Sequence, residues 1–542
     1  MLQGTPILVL REGTERERGK GATSGNIAAA RAVADAVRTT LGPRGMDKML
    51  VDSMGDITIT NDGVTILKEV DVEHPAAKMI VEVAKTQDQQ CGDGTTTAVV
   101  IAGELLKRSE YLLEQHVHPT VITRGFQLAL QEAKRLLEVE IGTTVKVDDE
   151  GILIDCATTA MGSKGVFGSR EGLAKIAVGA VKKIADTRGG KVVADVDQIK
   201  VEKRPGGTIS DTELIDGIVL DKERGHPRMP GEVVNAKIAL LNSALEIKKT
   251  EIESKINIKN PAQIQSFLDE EDKTFHKLVD QIKAAGANVV VCQKGIDDVV
   301  LHYLAKEKIY AVKQVKESDL QKLARATGGK IVTGVKELSA SDLGSAAKVE
   351  ERKVGDDDLT FISGCANPRS VSILIRGGTE HVTQEVERSL QDALKVVASV
   401  LEDGVVCPGG GATEIDLAVK LRKWAGTVGG REQLAVEAFA QALECIPWAL
   451  AENGGYDSID TLIQLRSAHE GPNANKNIGV NLADGKAADM WKLHVVEPLR
   501  VKRQALSSAT EVASMVLRID DIIASKKGGG GPPGGPGGGH DH

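Results

Sequence analysis

Along this chain the spacing of apolar residues changes character twice, and that double change restricts the fold more than any other feature. Ile27, Ala30, Ala34, Val37 and Leu41 recur at three- and four-residue steps, and after Pro75 the residues Ala76, Met79, Ile80, Val83 and Ala84 do the same. Each set is one buried face of a helix. Residues 237–241 and 288–292 are instead short continuous apolar runs, alternating with helical patterns at 296–308 and 319–327 and with strand-like segments near Ile309 and Lys330. That alternation predicts an α/β domain. Beyond the strand-like run 371–375, long Ala- and Leu-rich helices return and continue to Asp520. Helical ends around an α/β middle predict a domain inserted into a helical one whose halves come from opposite ends of the chain. A length of 542 residues also exceeds what one core supports.

Composition narrows the function classes. Hydrophobic residues are 41% and charged residues 27%, so neither wholesale disorder nor a membrane protein is expected. A net charge of -9 and 2% aromatics argue against phosphate neutralisation and base stacking, hence against a nucleic-acid partner. Cys91, Cys156, Cys292, Cys365, Cys407 and Cys445 stand singly and read as free intracellular thiols. The first ten residues lack a basic lead and a cleavage site, and a run of about 20 apolar residues is not expected anywhere, so the chain reads as cytoplasmic. Residues 528–539 are only Gly and Pro and read as a flexible tail.

Three glycine turns stand beside helical stretches. In Gly92-Asp93-Gly94-Thr95-Thr96-Thr97 small residues and hydroxyls open a helix, so its free N–H groups and dipole could face a phosphate, with Asp93 as a Mg²⁺ ligand. No Walker A or dinucleotide pattern is present. Leu41-Gly42-Pro43-Arg44-Gly45 and Pro408-Gly409-Gly410-Gly411-Ala412 have the same chemistry. Each turn alone fits a helix stop equally well, whereas three in one helical domain favour a nucleotide. Asp62, in the turn Asn61-Asp62-Gly63 after the alternating run 56–60, and Asp392 are candidates to position a water or metal. A capping or surface role is the competing reading for a single Asp.

These turns, with Thr60-Asn61-Asp62-Gly63, the stretch from Asp216 to Lys222, Val496-Glu497-Pro498-Leu499-Arg500-Val501-Lys502 and the ending Leu517-Arg518-Ile519-Asp520-Asp521, together resemble the group II chaperonins, the archaeal thermosome subunits above all. The resemblance covers nearly the whole chain. It implies an equatorial ATPase domain in two parts (1–146 and 404–525), a small intermediate domain in two parts (147–216 and 369–403), an inserted apical domain (217–368) and a tail (526–542). It also implies ATP and Mg²⁺ as cofactors, and two stacked eight-membered rings that enclose non-native proteins. By the same resemblance Leu41, Gly42, Pro43, Gly94, Thr95, Thr96, Thr97, Gly409, Gly410 and Gly411 line the nucleotide, and Asp93 holds Mg²⁺. Asp62 and Asp392 orient the attacking water, Glu497 binds the ribose, and Lys164 after Ser163 senses the γ-phosphate. An exposed lysine is the bland alternative for Lys164.

Residues 246–282 resemble the helical protrusion by which group II chaperonins close without a separate lid. Asn260 as a cap and Pro261 at the first helical position support a helix there, with Ile264, Phe267, Leu268, Phe275, Leu278 and Val279 on one face. Leu278 and Val279 suit a core, while Ile264, Phe267 and Leu268 beside Asp269-Glu270-Glu271-Asp272 suit an exposed binding surface. The competing class is an ATP-dependent small-molecule kinase, which particle mass separates from a ring of many subunits.

Overall fold

The computed structural model describes residues 14–70, 72–165, 168–246, 261–367 and 369–525. One apolar core draws on residues 27–141 and 407–517. Its helices are Lys20–Arg38, Pro75–Cys91, Thr95–Glu114 and Pro119–Leu136 from the first part, and Ala412–Val428, Glu432–Leu443 and Leu499–Leu517 from the last. Small residues set the packing distance: a Cβ on Gly103 would collide with Ala34 on the facing helix. Phe126 and Phe439 meet edge to face with centroids 5.9 Å apart, joining the two halves. The chain ends close the domain, since Thr14–Arg18 and Asp521–Ser525 form an antiparallel pair.

The first helix begins at Lys20, one turn before the Thr23-Ser24 start that the sequence indicates, so neither hydroxyl caps it. The run 56–60 becomes the strand Ile57–Thr60, paired with Lys48–Val51. Asn61-Asp62-Gly63 then turns it into the helix Gly63–Glu69. Residues 432–453 correct the expectation about apolar runs. They are long and apolar enough to cross a membrane by length and composition, yet 78% of their most apolar 18-residue window is buried inside the protein. Core helices of a large protein are apolar on every side.

A second core gathers residues 153–199 and 371–406, again from distant parts of the chain. Its three-stranded sheet has Ser372–Gly377 in the centre, parallel to Lys200–Pro205 and antiparallel to Glu213–Ile215. The helices Glu150–Ala160, Arg170–Ile184 and Glu380–Asp403 cover it. The inserted part is a seven-stranded mixed sheet in which Glu232–Leu241 lies between Val289–Cys292 and Gly344–Val354. Along the central strands Ala239, Leu241, Val290 and Cys292 join one core, while Ile238, Leu240, Val289 and Val291 join the other. Alternate side chains thus serve two covered faces, which is why these strands read as unbroken apolar runs.

Within the expected protrusion, the helix Pro261–Ala284 is described. Phe275, Val279 and partly buried Leu278 pack into the core beneath it, as the stripe predicts. Residues 247–260, with the Asn260 cap, the side chains of Ile264, Phe267 and Leu268, and the tail 526–542 lie outside the described residues. All six cysteines are free, five of them buried.

Candidate functional site

Several turns meet where the helical core abuts the second core, and they enclose a cavity of about 410 Å³. The first, at Leu41-Gly42-Pro43, follows the helix Lys20–Arg38. Gly42 has φ +83°, and a side chain there would collide with Leu450. Asn453 Nδ2 fixes this turn by donating to Arg38 O at 3.0 Å and Leu41 O at 2.9 Å. The second turn carries Asp62, whose carboxylate caps its helix by accepting from Thr65 N at 3.1 Å and Thr65 Oγ1 at 2.7 Å. The third is Cys91-Gly92-Asp93-Gly94. Gly92 and Gly94 both have φ +78°, a region open to glycine at little cost. Buried Gln87 holds it from behind, donating to Asp93 O at 2.8 Å and Val501 O at 3.2 Å.

Two long helices start on this cavity with a left-handed glycine and no side-chain cap: Thr95–Glu114 after Gly94, and Ala412–Val428 after Gly411. Some helix starts in this chain are capped by a side chain, as by Asp62, His74, His118 and Asp149, and others, such as Lys20 and Arg170, are not; what sets these two apart is the left-handed glycine at the cap, facing the cavity. Omitting the side chain at both starts leaves backbone N–H groups and two positive dipole ends to a ligand, the arrangement that suits an anion.

Against these ends stand four ionisable groups from remote parts of the chain. Lys164 is 3% exposed and ion-paired with Asp392, so it is the opposite of an exposed lysine. Burial disfavours its charge, but Asp392 and Asp62 outweigh that and hold it above the usual lysine range. Burial lifts Asp392 well above the usual carboxylate range despite Lys164, with Asp62 and Asp93 adding to the rise. Asp93 is raised by burial against the N–H of Gly94, which its carboxylate accepts at 2.6 Å. Asp62 goes the other way: burial is overcome by Lys164 and the Thr65 hydrogen bonds, which hold it low. The cavity therefore holds one carboxylate whose pKa is held low and two whose pKa values are raised.

Of the residues predicted from sequence, Leu41, Gly42, Pro43, Asp62, Asp93, Gly94, Thr95, Thr96, Thr97, Ser163, Lys164, Asp392, Gly410, Gly411 and Glu497 border the cavity. Gly409 does not. It sits behind the wall, where a Cβ would come 2.7 Å from Glu497 Oε1. Several lining residues were not singled out as site residues from the sequence. Asn61 donates to Ser163 O, and His494 meets Asp155 at 2.8 Å on the rim. Ile446, Leu450, Leu482 and Met490 give one side an apolar wall. Lys502, within a stretch already noted for Glu497, lies 2.8 Å from Glu497 and 2.8 Å from Glu414. Its spacing to Glu497 was visible in the sequence, but Glu414 was not.

The profile of the TCP-1/cpn60 chaperonin family matches residues 33–527. Thermosome subunit beta of Archaeoglobus fulgidus is 59% identical over 524 residues, covering 97% of this chain and 96% of that protein. Thermosome subunit alpha of Thermoplasma acidophilum is 60% identical over 520 residues, 96% of this chain and 94% of its own. A thermosome subunit of Pyrococcus horikoshii is 57% identical over 524 residues, 97% and 95% of the two chains.

Proposed function

The chain belongs to the TCP-1/cpn60 chaperonin family, and on that premise we propose that the cavity of about 410 Å³ binds and hydrolyses ATP with Mg²⁺. The protein is an ATP-dependent chaperonin subunit that assembles into rings and assists the folding of non-native proteins. The observation that carries the ATPase reading is the pair of uncapped helix starts opening on three carboxylates and a lysine. That donor set fits the group: N–H groups suit the phosphates, and oxygen ligands suit Mg²⁺.

In this reading the N–H groups after Gly94 and Gly411 hold the phosphates, and Asp93 holds Mg²⁺, which would neutralise charge on the phosphate oxygens. Lys164 meets the terminal phosphate, and Asp62 and Asp392 orient the attacking water, Asp392 being the one able to accept its proton. Glu497 accepts from the ribose, and the apolar wall of Ile446, Leu450, Leu482 and Met490 faces the base. Asp62 and Asp93 belong to the helical part, whereas Lys164 and Asp392 belong to the segments that build the second core. Loss of the terminal phosphate thus changes the charge balance between two bodies, which is how hydrolysis would move one against the other. We assign residues 1–146 and 404–525 to the equatorial domain, 147–216 and 369–403 to the intermediate domain, and 217–368 to the apical domain, in particles of two eight-membered rings.

Calorimetric titration with ATP in Mg²⁺, with electron microscopy of the same particles, tests this. Saturable Mg²⁺-dependent binding to a double ring is expected. A ring that neither binds nor hydrolyses ATP would refute the ATPase reading.

A further inference from the structure

At the wall of the cavity Glu497 belongs to a charged group whose other members, Lys502 and Glu414, the ATPase reading does not use. Lys502 is 5% exposed and Glu414 2% exposed, and the lysine stands 2.8 Å from both Glu414 Oε1 and Glu497 Oε2. Two carboxylates share one buried ammonium, with Asp93 the next charged group facing Glu497. A buried lysine persists only where such partners replace its hydration. Glu497 is fixed on its other side too. Its Oε1 occupies the space where a side chain at 409 would stand, 2.7 Å from that Cβ position. Glu414 and Lys502 also border a second small cavity, of about 10 Å³, with Thr97 and Thr413, and Glu414 Oε2 has no hydrogen-bond partner among the described residues.

We propose that Lys502 is a positioning residue for nucleotide selection. It ties Oε2 of Glu497, Gly409 admits Oε1, and the carboxylate is thereby presented to the ribose hydroxyls in one orientation. Glu414 anchors Lys502 from the side away from the nucleotide. This inference rests on the ATP reading of the main cavity. Its consequence is specific: acting through Glu497, Lys502 sets how strongly the protein prefers a ribose over a sugar without hydroxyls. The residues involved come from two separate segments, 409–414 and 497–502, so the arrangement is built by the fold and not by one local turn.

The test compares ATP with 2′,3′-dideoxy-ATP, both with Mg²⁺, on full-length assembled particles. A hydrogen bond from a hydroxyl to an ionised carboxylate accounts for a preference on the order of 10- to 100-fold. Wild type is expected to prefer ATP by that factor. Lys502→Met should bring the two affinities together by weakening ATP alone, with the change falling on KM. A side chain with a merely structural role would weaken both nucleotides equally and leave their ratio intact, and that result would overturn the proposal. Gly409→Ala is the second variant: it leaves Lys502 in place and should also erase the preference, and a preserved preference there would likewise overturn it. Wild type binding the two nucleotides equally would remove the ribose role of Glu497 and this inference with it. Wild type binding neither would refute the ATP reading itself.

Discussion

Replacing Asp392 by Asn separates the chemistry of the cavity from its binding. The substitution keeps the shape of the side chain and removes one charge. Asp62, Asp93 and Asp392 set against Lys164 leave two net negative charges when all are ionised, and the substitution leaves one. A triphosphate entering the cavity therefore meets less repulsion, so nucleotide affinity should hold or improve. Turnover should not. A positioned base contributes on the order of 10² to 10⁴ in rate, about 3–5 kcal/mol on the barrier. Asn can still hydrogen-bond the water but cannot take its proton, so kcat should fall by on the order of 10²-fold or more. Lys164 also loses its direct partner, although Asp62 still faces it. Thermal unfolding and particle integrity must therefore be measured beside phosphate release and calorimetric nucleotide binding. Acid titration adds a second readout. Because burial raises Asp392, wild-type turnover should decline as pH falls through a value above the ordinary carboxylate pKa of about 3.9. An unchanged kcat, or a loss of affinity matching the loss of kcat, would refute the role of Asp392.

Asp93→Ala should lose Mg²⁺-dependent nucleotide affinity as well as turnover, because a metal ligand supports the bound triphosphate; equal calorimetric affinities in Mg²⁺ would count against it. Asp416 lies 3.1 Å from the fully buried ring of His469 and 2.9 Å from Lys420. Asp416→Ala should therefore cost about 3 kcal/mol of stability at neutral pH, seen in denaturant unfolding. Burial opposes ionisation of Asp416, but His469 and Lys420 hold its pKa low. Its contribution is thus present above the unfolded carboxylate value of 3.8 and lost as pH falls through the lower folded value; a loss on raising the pH instead would contradict this. Replacing residues 251–272 with a Gly-Ser linker should leave ATPase and assembly intact but abolish protease protection of an enclosed client. Full protection in the truncated protein would place the closure elsewhere.

Much of the site was legible in the sequence because its parts are local. A turn needing positive φ announces itself as glycine, so Gly42, Gly92, Gly94, Gly410 and Gly411 could be found one segment at a time, and the helices behind them show their buried faces as three- and four-residue spacing. The inserted domain was legible for the same reason, since a strand covered on both faces, such as Val289–Cys292, is a continuous apolar run. Motif resemblance, not spacing, placed Glu497 and Lys164 near the same nucleotide. What the sequence could not decide is which charges meet. Lys164 and Asp392 are 228 positions apart, and Asn453 holds Leu41 from 412 positions away. No period or turn encodes such pairs, because they exist only once the helical core and the second core have closed on each other. The fold also decided that Lys164 is buried rather than solvated, that Gly409 makes room for Glu497 instead of lining the cavity, and that Lys502 stands between two carboxylates. For the two lysines the deciding quantity is the loss of water around a charge, which depends on everything packed about it and on no single stretch of chain; for Gly409 it is the space that Glu497 fills.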